Sequence, residues 1–193
     1  MSTRGVFGFR IDGADKLSIN HCDSAPDALG DAVLYDLNIM LKRYASIDNL
    51  RKRVRRIELV GRKTKPTLQQ QMLYGRFSDI SVGNQTAEDW YCLLRRLQGE
   101  LYKTLVVGVM LNWNDFIYNS VMCEWGYIVN MDTKELEVYE GFQEKPAKGR
   151  YGFIRNPESK WYGCGLVLTV PFKRVGSMNK KGLGPVMDKL TKD

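Results

Sequence analysis

Residues 3–24 read "TRGVFGFRIDGADKLSINHCDS", and the fold turns on how this stretch is taken. Aromatic and β-branched residues alternate with others on either side of Asp12-Gly13, a dipeptide that favours the left-handed conformations of a tight hairpin turn. The spacing predicts a β-hairpin, so that the chain starts inside a sheet. Beyond it, Val33, Leu37, Met40, Leu41 and Tyr44 recur on one stripe of a helix beginning near Pro26 or Asp27. That helix is expected to pack on the sheet.

Ile47, Leu50, Val54 and Ile57 carry a helical period through a basic segment, and Pro66 to Gly75 bounds another short helix. Thr86 with Asp89 resembles a capping box opening a longer helix, whose apolar face is Trp90, Leu93, Leu94, Leu97 and Leu101. "CEWGYIVNMDTKELEVYEGF" (123–142) predicts two strands around a polar turn, with Asp132 and Glu137 facing solvent, and "YGCGLVLTVPF" (162–172) a final strand. Two sheet regions flank a helical middle, which predicts an α+β protein with largely antiparallel sheet layers and flanking helices.

A chain of 193 residues suits one domain, taken as residues 1–172, and the Gly- and Lys-rich stretch 173–193 reads as a basic tail, partly disordered or laid over the surface. At 44% hydrophobic and 26% charged residues, the composition is that of a folded protein rather than a disordered one. No apolar run reaches the roughly 18 residues of a membrane span, and no basic-then-apolar leader opens the chain, so a cytoplasmic location without membrane contact is expected. The four cysteines, Cys22, Cys92, Cys123 and Cys164, form no C-x-x-C pair, and there is one histidine, His21, so neither metal nor cofactor is expected. The oligomeric state is not legible.

The net charge of +7 is concentrated in one place. Residues 1–50 hold five Lys/Arg against seven Asp/Glu, residues 51–65 eight against one, and the remainder sixteen against fourteen. Arg51, Arg53, Arg55, Arg56, Arg62 and Lys63 could therefore grip phosphates or an acidic partner, either nucleic acid or protein. No stacking-aromatic pattern accompanies the segment, and a solvated helical face is the alternative.

The opening offers a second kind of site. Loss of Met1 before a small residue would give Ser2 a hydroxyl beside a free α-amine of pKa about 7.7–8.0, a built-in base. A returning hairpin would bring Asp23 back to hold that amine, Arg4 shares the face of Ser2, and Asn20 could donate to an oxyanion. The alternative is an ordinary turn of Asn, Asp and Ser leading into a helix at Pro26.

The layout resembles the N-terminal nucleophile hydrolases, in particular the bile-salt hydrolase and penicillin V acylase branch. There the nucleophile starts the first strand and an Arg-x-x-Asp follows on the second; here the stretch is Asn20-His21-Cys22-Asp23, with Asp23 matched, Asn20 in place of arginine, and serine in place of cysteine. The resemblance implies an amide-bond hydrolase on an αββα sandwich. Four blocks spanning residues 1–143, "MSTRG", "INHCDSAPDALG", "DWYCLLRRLQG" and "CEWGYIVNMDTKELEVYEGFQ", also resemble an uncharacterised family of phage, bacterial and fungal proteins. That family carries no known activity; together with the basic segment, the resemblance leads to the expectation of a non-catalytic binding protein, encoded by a phage and acting on host machinery or nucleic acid.

Overall fold

The computed structural model describes residues 3–157 and 159–190. Strands β1 (Gly5–Ile11) and β2 (Ala14–Asn20) form the hairpin, joined by Asp12 at φ 52° and Gly13 at φ 75°. These positive φ values make the two-residue turn whose twist matches that of the strands. A π-helical turn (Pro26–Gly30) leads into α1 (Asp31–Arg43), followed by α2 (Ile47–Arg55), which starts where the Ser46 hydroxyl accepts from the Asn49 N–H at 3.2 Å. Then come β3 (Glu58–Val60), α3 (Leu68–Tyr74), α4 (Trp90–Leu93), α5 (Leu101–Val107) and β4 (Val109–Leu111). Strands β5 (Trp125–Asn130), β6 (Glu135–Glu140) and β7 (Gly165–Pro171), and helices α6 (Phe172–Asn179) and α7 (Gly184–Leu190), complete the chain.

The protein is α+β, with a five-stranded sheet in the order β2-β1-β5-β6-β7. It is mixed rather than wholly antiparallel, because β1 runs parallel to β5 with Gly5 opposite Trp125. Parallel neighbours need the chain carried back to the starting end between them; β2 does this, and the helical middle then links Asn20 to Trp125 at the Gly5 end of the sheet.

Two stacked antiparallel sheets, the αββα arrangement, do not form among the described residues. The second sheet is a short parallel pair of β3 and β4, and the chain just after β4 continues the edge of the first. Trp113 N–H donates to Leu17 C=O at 2.9 Å, and the Asn114 carboxamide accepts from Leu17 N–H at 2.7 Å while donating to Asp15 C=O at 2.8 Å.

The two faces of the large sheet are covered differently. Phe7, Phe9, Ile11, Tyr127, Val129 and Val138 pack under Val33, Leu34, Leu37 and Met40 of α1, Leu50 and Val54 of α2, and Leu101 and Leu105 of α5. On the other face Val6, Leu17, Ile128 and Tyr139 meet Ile117, Cys123, Tyr151 and Cys164, which belong to loops and one 3-10 turn. A third cluster joins β3 and β4 to Phe77, Trp90, Leu93, Leu94 and Leu97.

Three expectations need correction. The helix anticipated from Thr86 is broken: Asp89 caps the four residues of α4 by accepting from Tyr91 N–H at 2.9 Å, Arg95–Leu97 form a 3-10 turn, and Gly99 takes φ 80° before α5 begins. A Cβ on Gly99 would stand 3.1 Å from Asn20 Oδ1, so close packing on the end of β2 adds to the reasons for glycine here. The tail is helical through residue 190, because Val175, Leu183 and Met187 are buried and Leu183 N–H donates to Asp31 Oδ1 at 2.6 Å.

Glu137, expected to face solvent, is 5% exposed on the loop-covered face. Its carboxylate accepts from Asn130 Nδ2 at 2.7 Å, Tyr139 Oη at 3.0 Å and both terminal nitrogens of Arg150. Nearby, Asp15 accepts from Arg10 at 2.8 Å and from Tyr151 Oη at 2.8 Å. Burial works against the charge of Arg150, but the hydrogen bonds to Glu137 and the neighbouring tyrosines hold its pKa above the ordinary arginine value. Every lone pair so satisfied makes the buried charges tolerable.

Arg150→Met leaves Glu137 buried without its cation and is expected to cost about 3–5 kcal/mol in urea unfolding. The double variant Arg150→Met, Glu137→Leu should recover most of that loss; equal stability of the single variant and the parent would refute the assignment.

Candidate functional site: the chain opening, the basic helix and an aromatic groove

Ser2, the nucleophile expected from the sequence, lies outside the described residues. The hairpin does return to the opening, since Ser24 N–H donates to Thr3 C=O at 3.3 Å and to Thr3 Oγ1 at 2.7 Å. Arg4 lies beside the start of β5, its C=O accepting from Glu124 N–H at 2.8 Å. Asn20 is turned to structural use: its carboxamide donates to Cys22 C=O and to Ser24 Oγ at 3.0 Å, so both amide hydrogens are already bound and none is free for an oxyanion.

Asp23 is exposed at φ 53°, and its C=O accepts from Leu29 N–H at 3.2 Å. Buried Ser24 is locked further by the Tyr127 hydroxyl, which donates to its C=O at 2.9 Å. This is the geometry of a turn feeding a helix. His21 stands edge-on to Tyr91 at 6.1 Å, and its Nδ1 is buried without a partner. Burial, with the charges of Arg4 and Arg95, pushes its pKa below the ordinary histidine value.

The basic helix is also largely committed. Arg51 donates to Met131 C=O, to Asp12 at 2.9 Å and to Asp132 at 3.1 Å. Arg55 makes a two-point pair with Asp12 at 2.6 and 2.9 Å, and Arg53 donates to the Leu105 and Val106 carbonyls at the end of α5. Three of the six cations anticipated as a binding surface therefore fasten α2 to the β1–β2 turn, the β5–β6 turn and α5. Arg56 is exposed, and its guanidinium makes no hydrogen bond or ion pair among the described residues.

Arg62 and Lys63 have a different setting. They follow β3, and the parallel register of β3 with β4 brings the segment after Leu111 alongside them. The Arg62 guanidinium sits 4.2 Å from the Trp113 ring centroid and pairs with Asp115, while Trp113 meets Phe116 edge-on at 5.5 Å. The indole Nε1–H of Trp113 is buried and unpartnered.

Past Arg62 opens a groove of 580 Å³ walled by Phe116, Tyr118, Asn119, Ile154 and Arg155. It shares Arg62 and Asp115 with a shallower one of 420 Å³ that includes Lys63, Thr64 and Asn112. Its wall is braced from within: Tyr118 stands edge-on to Tyr151 at 5.4 Å, and the Tyr151 hydroxyl is held by Asp15. Burial and the charge of Asp15 raise the Tyr118 pKa, so the phenol stays neutral. Arg155 is exposed, and no carboxylate pairs with it among the described residues.

The aromatic partners absent from the basic segment's own sequence thus come from "NWNDFIY" (112–118). The one cue was an aromatic- and Asn-rich run directly after a buried apolar one. Among the described residues no group of three or more His, Cys, Asp or Glu could hold a metal ion, and no helix is long and apolar enough to cross a membrane. Compared with protein-family models, curated proteins and solved structures, the chain matches none.

If α2 is a fastener, Arg51→Ala should cost about 2 kcal/mol in urea unfolding while Arg56→Ala stays within about 0.5 kcal/mol. Asp12 adds a pH signature. The hydrogen bond from Arg55 holds its carboxyl below the ordinary value of 3.8, so its contribution is present above that value and fades as pH falls through the lower folded one. The stability gap between the parent and Asp12→Asn should therefore narrow below about pH 4; a constant gap would refute the linkage.

Proposed function

We propose that the chain is a non-catalytic binding protein that captures an anionic partner in the groove bounded by Arg62, Lys63 and Arg155. One observation carries the reading: while Arg51, Arg53 and Arg55 are consumed inside the fold, these three cations converge with aromatic side chains on an open concavity. Among the described residues of the walls, Asp115 stands as one acidic side chain against three cations, a positive excess. Cations around a concave surface raise the local concentration of an anionic ligand and its rate of encounter. The resemblance of the opening blocks to phage, bacterial and fungal proteins directs the search for that partner to host nucleic acid and acidic host proteins.

A second reading keeps the opening as an amide-bond hydrolase, with Ser2 as nucleophile and Arg4 and Asp23 orienting its amine. The return of Ser24 to Thr3 favours it, and the committed carboxamide of Asn20 leaves the oxyanion to another donor. Ser2→Gly in folded protein should abolish any amidase activity; an unchanged rate would end this reading.

For the groove, the double reversal Lys63→Glu, Arg155→Glu should lower the salt needed to elute the protein from immobilised heparin and weaken polyanion binding by on the order of a hundredfold at 0.1 M salt. Arg56→Glu, on the solvent side of α2, should change binding by less than about threefold. The reading fails if the two variants lose affinity equally, or if neither does.

A further inference from the structure

We infer that the groove's ligand is single-stranded nucleic acid, whose phosphates are met by Lys63 and Arg155 and whose bases stack within the groove. The inference rests on the proposed groove reading and names its partner class. Three features of the walls go beyond charge.

The first is Arg62. Its guanidinium is supported by the Trp113 ring at 4.2 Å and pinned by Asp115, yet the side chain remains 40% exposed. An arginine plane held in this way offers a surface on which a base can stack, and the entropy of fixing it has already been spent in folding. Asp115, which would repel a phosphate, here serves to orient the plane.

The second is the apolar and aromatic wall of Phe116, Tyr118 and Ile154. Tyr118 is held by its contact with Tyr151, which is in turn bonded to Asp15. Stacking of a base on such a ring contributes about 1–3 kcal/mol and tolerates any base, since each has a π-face. Bases inside a duplex are already stacked, so this wall discriminates for an unpaired strand.

The third is Asn119. Its backbone carbonyl accepts from Met122 and Cys123, but its side-chain carboxamide has no partner among the described residues and lines the groove. A carboxamide both donates and accepts, which suits the edge of a base and has no special use for a run of carboxylates. An acidic peptide would satisfy the cations and leave the arginine plane, the phenol and the amide without matched partners.

The test uses the full chain with fluorescein-labelled probes of equal length: a twelve-nucleotide oligouridylate, the same backbone with all bases removed, a twelve-base-pair duplex and oligoglutamate. Anisotropy gives the affinities, and the part of the tryptophan emission lost in Trp113→Phe reports on Trp113, one of four tryptophans. The expected result is that the single strand binds at least about tenfold more tightly than the abasic strand, outcompetes duplex and oligoglutamate, and quenches tryptophan emission. Its log–log salt slope should be about −1.4, as for the two phosphate contacts of Lys63 and Arg155 on a single strand.

Tyr118→Leu should erase most of the difference between the based and abasic strands while leaving abasic binding unchanged. Asn119→Ala, which disturbs no packing ring, supplies a second variant with the same expected direction. Equal binding of based strand, abasic strand and oligoglutamate would overturn the nucleic-acid inference and leave the groove as a general anion surface. Tighter binding of oligoglutamate would assign the groove to an acidic protein. Failure of every probe to bind would overturn the groove reading together with this one.

Discussion

Parallel pairing of β1 with β5, from Gly5 opposite Trp125 to Arg10 opposite Asn130, is the constraint on which the other elements depend. The β1–β2 and β5–β6 hairpins are local, and each closes through a short turn. Joining them requires contacts between residues more than a hundred positions apart, with a loop-closure cost that only extensive burial can offset. Because β2 brings the chain back to the Gly5 end of β1, where β5 also starts, the intervening chain leaves and re-enters the sheet at the same end. Its helices α1, α2 and α5 lie over a single face, where Phe7, Phe9, Tyr127 and Val129 receive them.

The opposite face is left to irregular chain. Loops cannot satisfy their own backbone groups as a helix does, and they bring polar side chains with them. The carboxylates of half-buried Asp15 and buried Glu137, the guanidinium of Arg150 and the phenols of Tyr139 and Tyr151 answer that problem by binding one another. Their consequence reaches the surface, since Tyr151 supports Tyr118 at the groove wall. The division of labour among the arginines follows the same geometry. Those on α2 face turns rich in carbonyls and carboxylates and are absorbed there, whereas those beyond β3 face the open side.

Much of the architecture was legible because it is locally encoded. Asp12-Gly13 fixes a hairpin by backbone preference alone, and the stripe from Val33 to Met40 fixes a helix by its period. What escaped was set by contacts distant in sequence. Nothing within Thr86 to Leu101 announces that the end of β2 will pack close to Gly99, where Asn20 Oδ1 would stand 3.1 Å from an added Cβ. Alternation put Glu137 on the face opposite Leu136 and Val138, but could not tell that Arg150 and Tyr151 would cover that face. The sparse apolar residues of the tail hid its helices, because Val175 and Leu183 are buried by joining the distant core beneath α1 rather than by a local apolar run. The candidate groove was half legible: Arg62 and Lys63 stand out as charge, while Trp113, Phe116 and Arg155 join them only through strand register and loop closure.

Asn114 gives the sheet an ending. An outer strand with bare N–H and C=O groups invites another chain to add to it, and cells contain many chains able to do so. By offering one C=O and one N–H from a side chain, spaced to meet Leu17 and Asp15, this residue imitates one rung of a further strand and then stops. At the β2 edge, the place where an added strand would pair is thereby filled with a group that cannot itself be extended.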